Sequence, residues 1–288
     1  MSDQTPSRWQ RPIFVASLGR SGSTLLQRVL NAHPDITIWG EHGGMLKGIT
    51  ATVRASQDEL VVKNLDTGND VRHAVVGEIS DKETFYPWVS PFRAHEFSDE
   101  LVATLLELFT RGLTPEIRWG FKEIRYDVET LRTLMEMFPE AHVILLAREV
   151  EGHVSSRFFA FGNRDYDLVS EDGRQAARKK VGNMIEGWMR RYEGMLELCA
   201  EMPQRCSLVA YSDLVQGSPR IPALFAELGE TTPDGAVIDE VLEAKAGSSF
   251  KYNSIARQNR ALLPEIIESA DYDRDRYASI ASAFGITS

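Results

Sequence analysis

Short apolar runs alternate with amphipathic segments along most of this chain. The runs 13–16, Ile36–Trp39 and His142–Ala147 consist mainly of aliphatic residues and are too short for typical helices. Such runs predict strands that are buried on both faces of a sheet, and His142–Ala147 is the clearest of them. Two further strands are predicted over Arg118–Glu123 and 207–211.

Apolar residues recur at helical spacing between these strands. Leu25, Leu26, Val29 and Leu30 predict a helix directly after the first strand. The same spacing predicts helices over 46–60, 98–112, 130–138, 150–159, 175–202, 221–228 and 236–246. Ser98 is expected to cap the second of these, whereas 161–174 is expected to be a polar loop. The stripe containing Met184, Trp188 and Tyr192 is interpreted as core.

Alternating strands and helices predict an α/β fold with a mainly parallel central sheet. The 288 residues, 43% of them hydrophobic, are enough for one domain spanning 1–288. Residues 1–11 are expected to form a loose arm. Residues 45–115 are expected to be an insertion that covers the site, and the aromatic residues at 85–88 and 91–92 are more typical of core than of substrate contacts.

The net charge of −10 argues against nucleic acid or an anionic membrane as a partner. Cys199 and Cys206 are expected to be free thiols, and no histidine or cysteine spacing suggests a metal. The polar start of the chain has no signal-peptide pattern, and no run is long enough to span a membrane. We therefore expect a cytoplasmic protein, and the sequence does not indicate its oligomeric state.

The segment 13–30 combines a strand, a glycine-containing turn and a helix, which is the arrangement that cradles phosphate groups. Ser23 and Thr24 could cap the helix and donate hydroxyls to a phosphate. The segment departs from the loop of ATP hydrolases, because Ser23 replaces its lysine and the cation is Arg20. This favours binding of one terminal phosphate over a magnesium-bound triphosphate. The alternative is an ordinary glycine-containing turn.

Three other positions lie at or just after the ends of predicted strands, where ligands bind in parallel sheets. Glu41 and His42 follow the second strand among glycines that should leave both accessible, and either could act as a base. The alternatives to a catalytic role are a surface carboxylate or a partner of Arg20 for Glu41, and a hydrogen-bonded loop histidine for His42. Lys122 lies in the strand Arg118–Glu123, and its alternative is a surface lysine with a buried stem.

Arg148 follows the strand His142–Ala147, and Ser155 and Ser156 lie on the helix after it. The planar guanidinium of arginine suits phosphate, so this combination predicts a second anion site. The alternative is a structural ion pair between Arg148 and Glu149 or Glu151.

Taken together and in order, these motifs resemble the sulfotransferases that use 3′-phosphoadenosine 5′-phosphosulfate (PAPS). The resemblance covers nearly the whole chain and is strongest for the protein-tyrosine and related carbohydrate enzymes. It rests on Gly19-Arg-Ser-Gly-Ser-Thr24, on Gly40-Glu41, on Arg148 with Ser156, on Tyr211-Ser-Asp-Leu214, and on Ser249-Phe-Lys251. The fold that it implies is a P-loop α/β/α fold of three layers, with a mainly parallel sheet and helical insertions.

The resemblance also implies roles for individual residues. Glu41 would be the base, in preference to His42, and Lys122 and Ser249 would act on the transferred sulfuryl group. The implied PAPS-binding residues are Arg20, Ser21, Gly22, Ser23, Thr24, Arg148, Ser156, Tyr211 and Lys251. The implied product is 3′-phosphoadenosine 5′-phosphate (PAP), no metal is required, and the acceptor would be a hydroxyl of a small molecule, sugar or peptide.

The sequence departs from the tyrosine enzymes at two places. Ala160 occupies the position of a second arginine for the 3′-phosphate, for which Arg157 or Arg164 could substitute. The residues after Glu41 are His-Gly-Gly, so the acceptor segment need not be shared. Two other functions remain open at this point, a P-loop nucleotide or small-molecule kinase and a non-catalytic nucleotide-binding protein.

Overall fold

Five parallel strands form the main sheet, in the order β2-β5-β1-β6-β7. The computed structural model describes residues 7–57, 63–64, 89–90, 94–160, 167–216, 219–243 and 254–286. The strands of the main sheet are β1 (Ile13–Ser17), β2 (Ile36–Trp39), β5 (Arg118–Glu123), β6 (His142–Ala147) and β7 (Cys206–Ala210). β3 (Lys63–Asn64) and β4 (Val89–Ser90) form a separate parallel pair. All five predicted strands are confirmed, and the last ends one residue early because Tyr211 begins a helix.

Helices occupy most of the remaining described residues. They are α1 (Ser23–Asn31), α2 (Met45–Gln57), α3 (Ala94–Phe109), α4 (Val128–Met137), α5 (Val150–Ala160), α6 (Glu171–Glu201), α7 (Tyr211–Val215), α8 (Arg220–Glu227), α9 (Gly235–Glu243), α10 (Ser254–Glu268) and α11 (Arg274–Ala283). Each predicted helix is present, with ends that differ from the prediction by several residues in places.

The structure corrects two predictions about where helices begin and one about the N-terminal arm. Ser98 does not cap α3, because that helix already begins at Ala94. The start of α6 lies within the predicted polar loop, because the Ser170 hydroxyl accepts a hydrogen bond from Gly173 N at 3.2 Å. The N-terminal arm is held rather than loose over Arg8–Gln10, since Arg8 pairs with Glu230 at 2.9 Å.

Helices cover both faces of the main sheet, which confirms the three-layer α/β/α prediction. On one face, Phe14 and Trp119 pack against α4, α5 and α6. The ring centroids of these two residues are 6.3 Å apart. On the other face, Val15 and Ile144 pack with α1, α8 and α9. Successive strand residues point to opposite faces, so a strand buried on both sides needs the continuous apolar run seen in β1 and β6.

The loops that follow the five parallel strands all lie at one edge of the sheet. β1 is central, with β5 on one side and β6 on the other. Its register pairs Ser17 with Leu146, so the loop after β1 starts level with the end of β6. This edge therefore gathers the candidate residues that were far apart in the sequence.

Candidate active site

The loop between β1 and α1 has a strained backbone that turns sharply at two residues. Arg20 has a φ of 75° and Gly22 a φ of 91°, both in the left-handed region. Gly22 is the N-cap of α1 and offers no side chain, so the capping role predicted for Ser23 and Thr24 is wrong. Both residues lie in the first helical turn, beside a helix N-terminus without a side-chain cap. That arrangement suits a bound phosphate.

Two buried side chains support this loop from the helical layer. The Tyr192 hydroxyl accepts a hydrogen bond from Leu18 N at 3.3 Å and donates one to Leu146 O at 2.6 Å. His153 Nδ1 lies 3.4 Å from the buried Ser21 hydroxyl. Burial, with a smaller effect from the charges of Arg157 and Arg148, lowers the pKa of His153 to about 4. His153 is therefore neutral at pH 7.

Sequence reasoning missed both supporting residues. Tyr192 belongs to the apolar stripe of α6, and its ring does pack in the core. Only its hydroxyl reaches the loop, and the spacing of the stripe carries no signal for that contact. His153 follows Arg148 by five residues, so its proximity to a second predicted phosphate site was the signal that could have found it.

The second predicted anion site adjoins the loop directly. Arg20 Nε donates a hydrogen bond to Ser156 Oγ at 3.0 Å, which joins the loop to α5. The Arg148 guanidinium lies over the ring of Tyr211, 4.4 Å from its centroid. Arg148 also pairs with Glu149 at 3.0 Å, so the structural ion pair considered as the alternative is present too.

Gly22 lies against Tyr211, and this contact connects the two predicted anion sites. A Cβ atom at this residue would lie 2.3 Å from Cδ2 of Tyr211. The Tyr211 ring thus rests on the backbone of the loop and under the guanidinium of Arg148. No larger residue than glycine fits at position 22. Five of the predicted site residues therefore lie together beside the loop: Arg20, Gly22, Arg148, Ser156 and Tyr211.

Glu41 and Lys122 form an ion pair on the other side of the loop. Lys122 is only 5% exposed, so the alternative of a surface lysine is wrong. Its Nζ atom lies 2.7 Å from Glu41 Oε1, and Arg125 Nη1 lies 3.4 Å from Glu41 Oε2. The Glu41 side chain remains 35% exposed. A carboxylate that faces solvent beside a buried ammonium can meet an incoming hydroxyl.

His42 is enclosed, contrary to the expectation that glycines would leave it accessible. Its side chain is 8% exposed, and its Nε2 atom lies 3.0 Å from Tyr126 Oη. Its Nδ1 atom lies 3.5 Å from Glu123 Oε2, and burial is the main cause that lowers its pKa. Phe121 packs edge-on against its ring at 4.9 Å. His42 therefore holds the loop after β2 to β5, and Glu41 is the residue that points outward.

Glu123 also holds the loop after β2, which carries Glu41. The carboxylate is fully buried and accepts hydrogen bonds from Gly44 N and Ile124 N, each at 2.9 Å. Burial alone would raise its pKa, but these bonds and the Arg125 guanidinium outweigh burial and lower it. An ionised carboxylate in this position anchors the turn that carries Glu41.

Some predictions concern residues outside the described ranges. Ser249, Lys251, Arg164 and the aromatic residues at 85–88 and 91–92 belong to this group. Cys199 and Cys206 are free thiols, as expected. Among the described residues, no cluster of histidine, cysteine, aspartate and glutamate is arranged to hold a metal ion. None of the described helices is long and apolar enough to span a membrane.

Comparisons with known proteins identify the family of the chain. The sulfotransferase family model matches residues 12–229. Protein-tyrosine sulfotransferase 1 of Danio rerio is 25% identical over 237 residues, which cover 82% of this chain and 58% of that protein. A putative protein-tyrosine sulfotransferase of Caenorhabditis briggsae is 24% identical over 212 residues, which cover 73% of this chain and 62% of that protein. The chain thus spans about three fifths of the length of these relatives.

A solved structure gives the same fold. The sulfotransferase domain of the Synechococcus PCC 7002 olefin synthase has a TM-score of 0.50 and 18% sequence identity, with 100% of this chain and 98% of that chain covered. Fold and site together define an α/β protein with a phosphate loop after its central strand. The family match extends over most of the chain, from that strand to the end of α8. The chain therefore belongs to the sulfotransferase family of enzymes.

Proposed function

We propose that the protein transfers a sulfuryl group from PAPS to the hydroxyl of an acceptor. The observation that carries this proposal is the contact between Arg20 and Ser156, 3.0 Å long, because it joins two anion sites into one. A donor with phosphate groups at both its 5′ and 3′ positions matches such a pair of sites. A donor with phosphates only at its 5′ end would leave the site at Arg148 and Ser156 without a phosphate to bind.

Each end of the donor has its own set of residues in this proposal. Arg20 and the loop residues Ser21, Gly22, Ser23 and Thr24 hold the 5′-phosphosulfate at the start of α1. The 3′-phosphate is held by Arg148 and Ser156, with Tyr211 placing the arginine. The family resemblance adds Lys251 for the donor and Ser249 for the sulfuryl group.

Glu41 is the general base in the proposed reaction. It accepts the proton of the acceptor hydroxyl while the hydroxyl oxygen forms a bond to sulfur, and the bond from sulfur to the 5′-phosphate oxygen breaks. PAP leaves with the electron pair of that bond. Lys122 stabilises the negative charge on the sulfuryl and bridging oxygens. A positioned base contributes roughly 10²-fold to 10⁴-fold to the rate.

The acceptor is proposed only as a class, a hydroxyl of a small molecule, sugar or peptide. Tyrosine sulfotransferases are among the relatives, which keeps a peptide tyrosine within that class. The His-Gly-Gly sequence after Glu41 separates this chain from the tyrosine enzymes at the acceptor side. The cytoplasm remains our proposed location.

Thermal denaturation with PAP, ADP and AMP tests the donor. We expect PAP to raise the melting temperature the most, because only PAP occupies both anion sites. Stabilisation by ADP alone would instead favour a kinase.

Transfer of labelled sulfate from PAPS by the Glu41→Gln variant tests the base, and we expect turnover to fall while PAP binding stays intact. Full turnover in that variant would place the base elsewhere, with His42→Gln as the next variant to measure.

A further inference from the structure

A cavity opens beside the start of the loop after β1. It has a volume of about 370 Å³ and lies between α5 and α6. Leu18, the first residue of the loop, forms part of its wall, and so does His153, which lies 3.4 Å from the Ser21 hydroxyl. A molecule in this cavity would therefore lie against the loop proposed to hold the sulfuryl donor. The volume is within the range of small-molecule sites.

The cavity has cations on two walls. Arg157 extends from α5 and Lys180 from α6. The lowered pKa of His153 reflects its burial and, secondarily, the charge of Arg157, so that histidine stays neutral between them. Two basic side chains from different helices around one cavity stand out in a protein with a net charge of −10. They favour an anionic occupant.

Apolar side chains and the amide of Asn183 line the cavity floor on the α6 side, which also contains an unusual glycine. Met184 and Trp188 of α6 line it, and Gly187 lies between them. A Cβ atom on Gly187 would meet none of the described residues within 4 Å, whereas one on Gly173, Gly182 or Gly194 of the same helix would contact a neighbour at 3.0 Å or less. A glycine inside a helix is destabilising relative to alanine. The packing of the protein does not require Gly187, and its position leaves the floor open for a ligand.

We propose that this cavity is the part of the acceptor site that holds a negatively charged group of the acceptor. The acceptor is then a hydroxylated organic anion, bound through its acidic group by Arg157 and Lys180 and through an apolar part by the floor of α6. This inference rests on the proposed sulfuryl transfer. It also assigns Arg157 to the acceptor instead of the 3′-phosphate, because the cavity wall includes neither Arg148 nor Ser156.

The sheet sets the length of such an acceptor. Glu41 follows β2, which lies two strand positions from β1 in the sheet. Neighbouring strands are spaced about 4.8 Å apart, so two intervals correspond to about 10 Å. The cavity lies on the β6 side of β1, beyond the loop. The hydroxyl and the acidic group of the acceptor should therefore be at opposite ends of an elongated molecule.

A matched pair of probes tests this assignment. The first is 4′-hydroxybiphenyl-4-carboxylate and the second is its carboxamide, which has the same shape without the charge. Calorimetric titration of the PAP-loaded protein gives the affinity for each probe, and labelled PAPS shows whether each accepts sulfate. We expect the carboxylate to bind roughly 10-fold to 100-fold more tightly, the range of one or two charge-assisted hydrogen bonds.

Five variants complete the test. Arg157→Gln and Lys180→Gln should remove most of the preference for the carboxylate, and Lys179→Gln is the control with the same change in net charge. Gly187→Leu should block both probes, whereas Gly187→Ala should admit them. PAP affinity should be unchanged in all of these variants.

These measurements distinguish a failure of the proposed function from a failure of the inference about the cavity. If wild-type protein does not bind PAP, the proposed function fails and this inference fails with it. If PAP binds but the carboxylate does not, or binds no better than the amide, the inference alone is overturned. A loss of PAP affinity in Arg157→Gln or Lys180→Gln would also overturn it, because the cations would then belong to the donor site.

Discussion

Arg20 Nε donates a hydrogen bond to Ser156 Oγ at 3.0 Å, and this bond connects the loop after β1 to the helix after β6. Arg20 reaches that position with a left-handed backbone, which costs a non-glycine residue roughly 1–3 kcal/mol. Such strain is typical of functional sites, where the surrounding structure enforces it. In this protein it turns the cation toward the second anion site.

Replacing the cations of the two anion sites should weaken donor binding without unfolding the protein. We expect Arg20→Gln and Arg148→Gln each to raise the Kd for PAP roughly 10-fold to 100-fold, since each loses a charge-assisted phosphate contact. Isothermal titration with PAP measures this effect. Arg132→Gln, which removes an arginine paired with Glu201 on the surface, is the control. Unchanged PAP affinity in both site variants would contradict the assignment.

Lys122→Met should separate chemistry from binding. The side chain is buried and pairs with Glu41 at 2.7 Å, so its loss removes the charge next to the proposed base and sulfuryl group. We expect kcat to fall by roughly 10²-fold to 10³-fold, as for other groups that stabilise developing charge. Labelled-sulfate turnover and PAP titration provide the two readouts. The exposed Lys47, which pairs with Asp127, supplies the control Lys47→Met, and equal turnover in the two variants would exclude this role.

Gly22→Ala and Gly43→Ala form a matched pair for the loop. Both glycines have positive φ, 91° and 70°, but among the described residues a Cβ atom would have a neighbour within 4 Å only at Gly22, where the Tyr211 ring would lie 2.3 Å away. We expect Gly43→Ala to cost about 1–2 kcal/mol through backbone strain alone. Gly22→Ala should cost a further amount of about 1–3 kcal/mol through overpacking, and should weaken PAP binding. Urea unfolding gives both costs, and identical values would disprove the contact.

Acid should destabilise the protein through its buried histidines. The folded-state pKa of His153 is about 4, against 6.5 in the unfolded chain. The unfolded state therefore takes up a proton first as the pH falls, and stability decreases between about pH 6.5 and pH 4. The full decrease for this residue is about 3 kcal/mol. Urea unfolding across this range should show a smaller pH dependence for His153→Gln, and parallel curves would refute the prediction.

The strands β1 and β6 were predictable because each is a continuous apolar run, which a strand buried on both faces requires. The order of the five strands in the sheet was not predictable, because local pattern does not determine which strand lies beside β1. His42 illustrates the limit for the site. Its sequence neighbours are glycines, which indicate exposure, but Tyr126 encloses it from 84 positions further along the chain. The Glu41–Lys122 pair likewise required the pairing of β2 with β5.

The pairing of Ser17 with Leu146 fixes the distance between the two proposed anion sites. β1 and β6 are hydrogen-bonded neighbours, and the residues proposed to bind anions follow immediately beyond the paired region of each strand. Gly22 and Tyr211 brace the same interval from the side of β7. Neither anion site can move without disturbing the backbone ladder of the sheet. The protein should therefore select its donor by the separation between two phosphate groups, and a nucleotide with the right charge but the wrong spacing should bind through one end only.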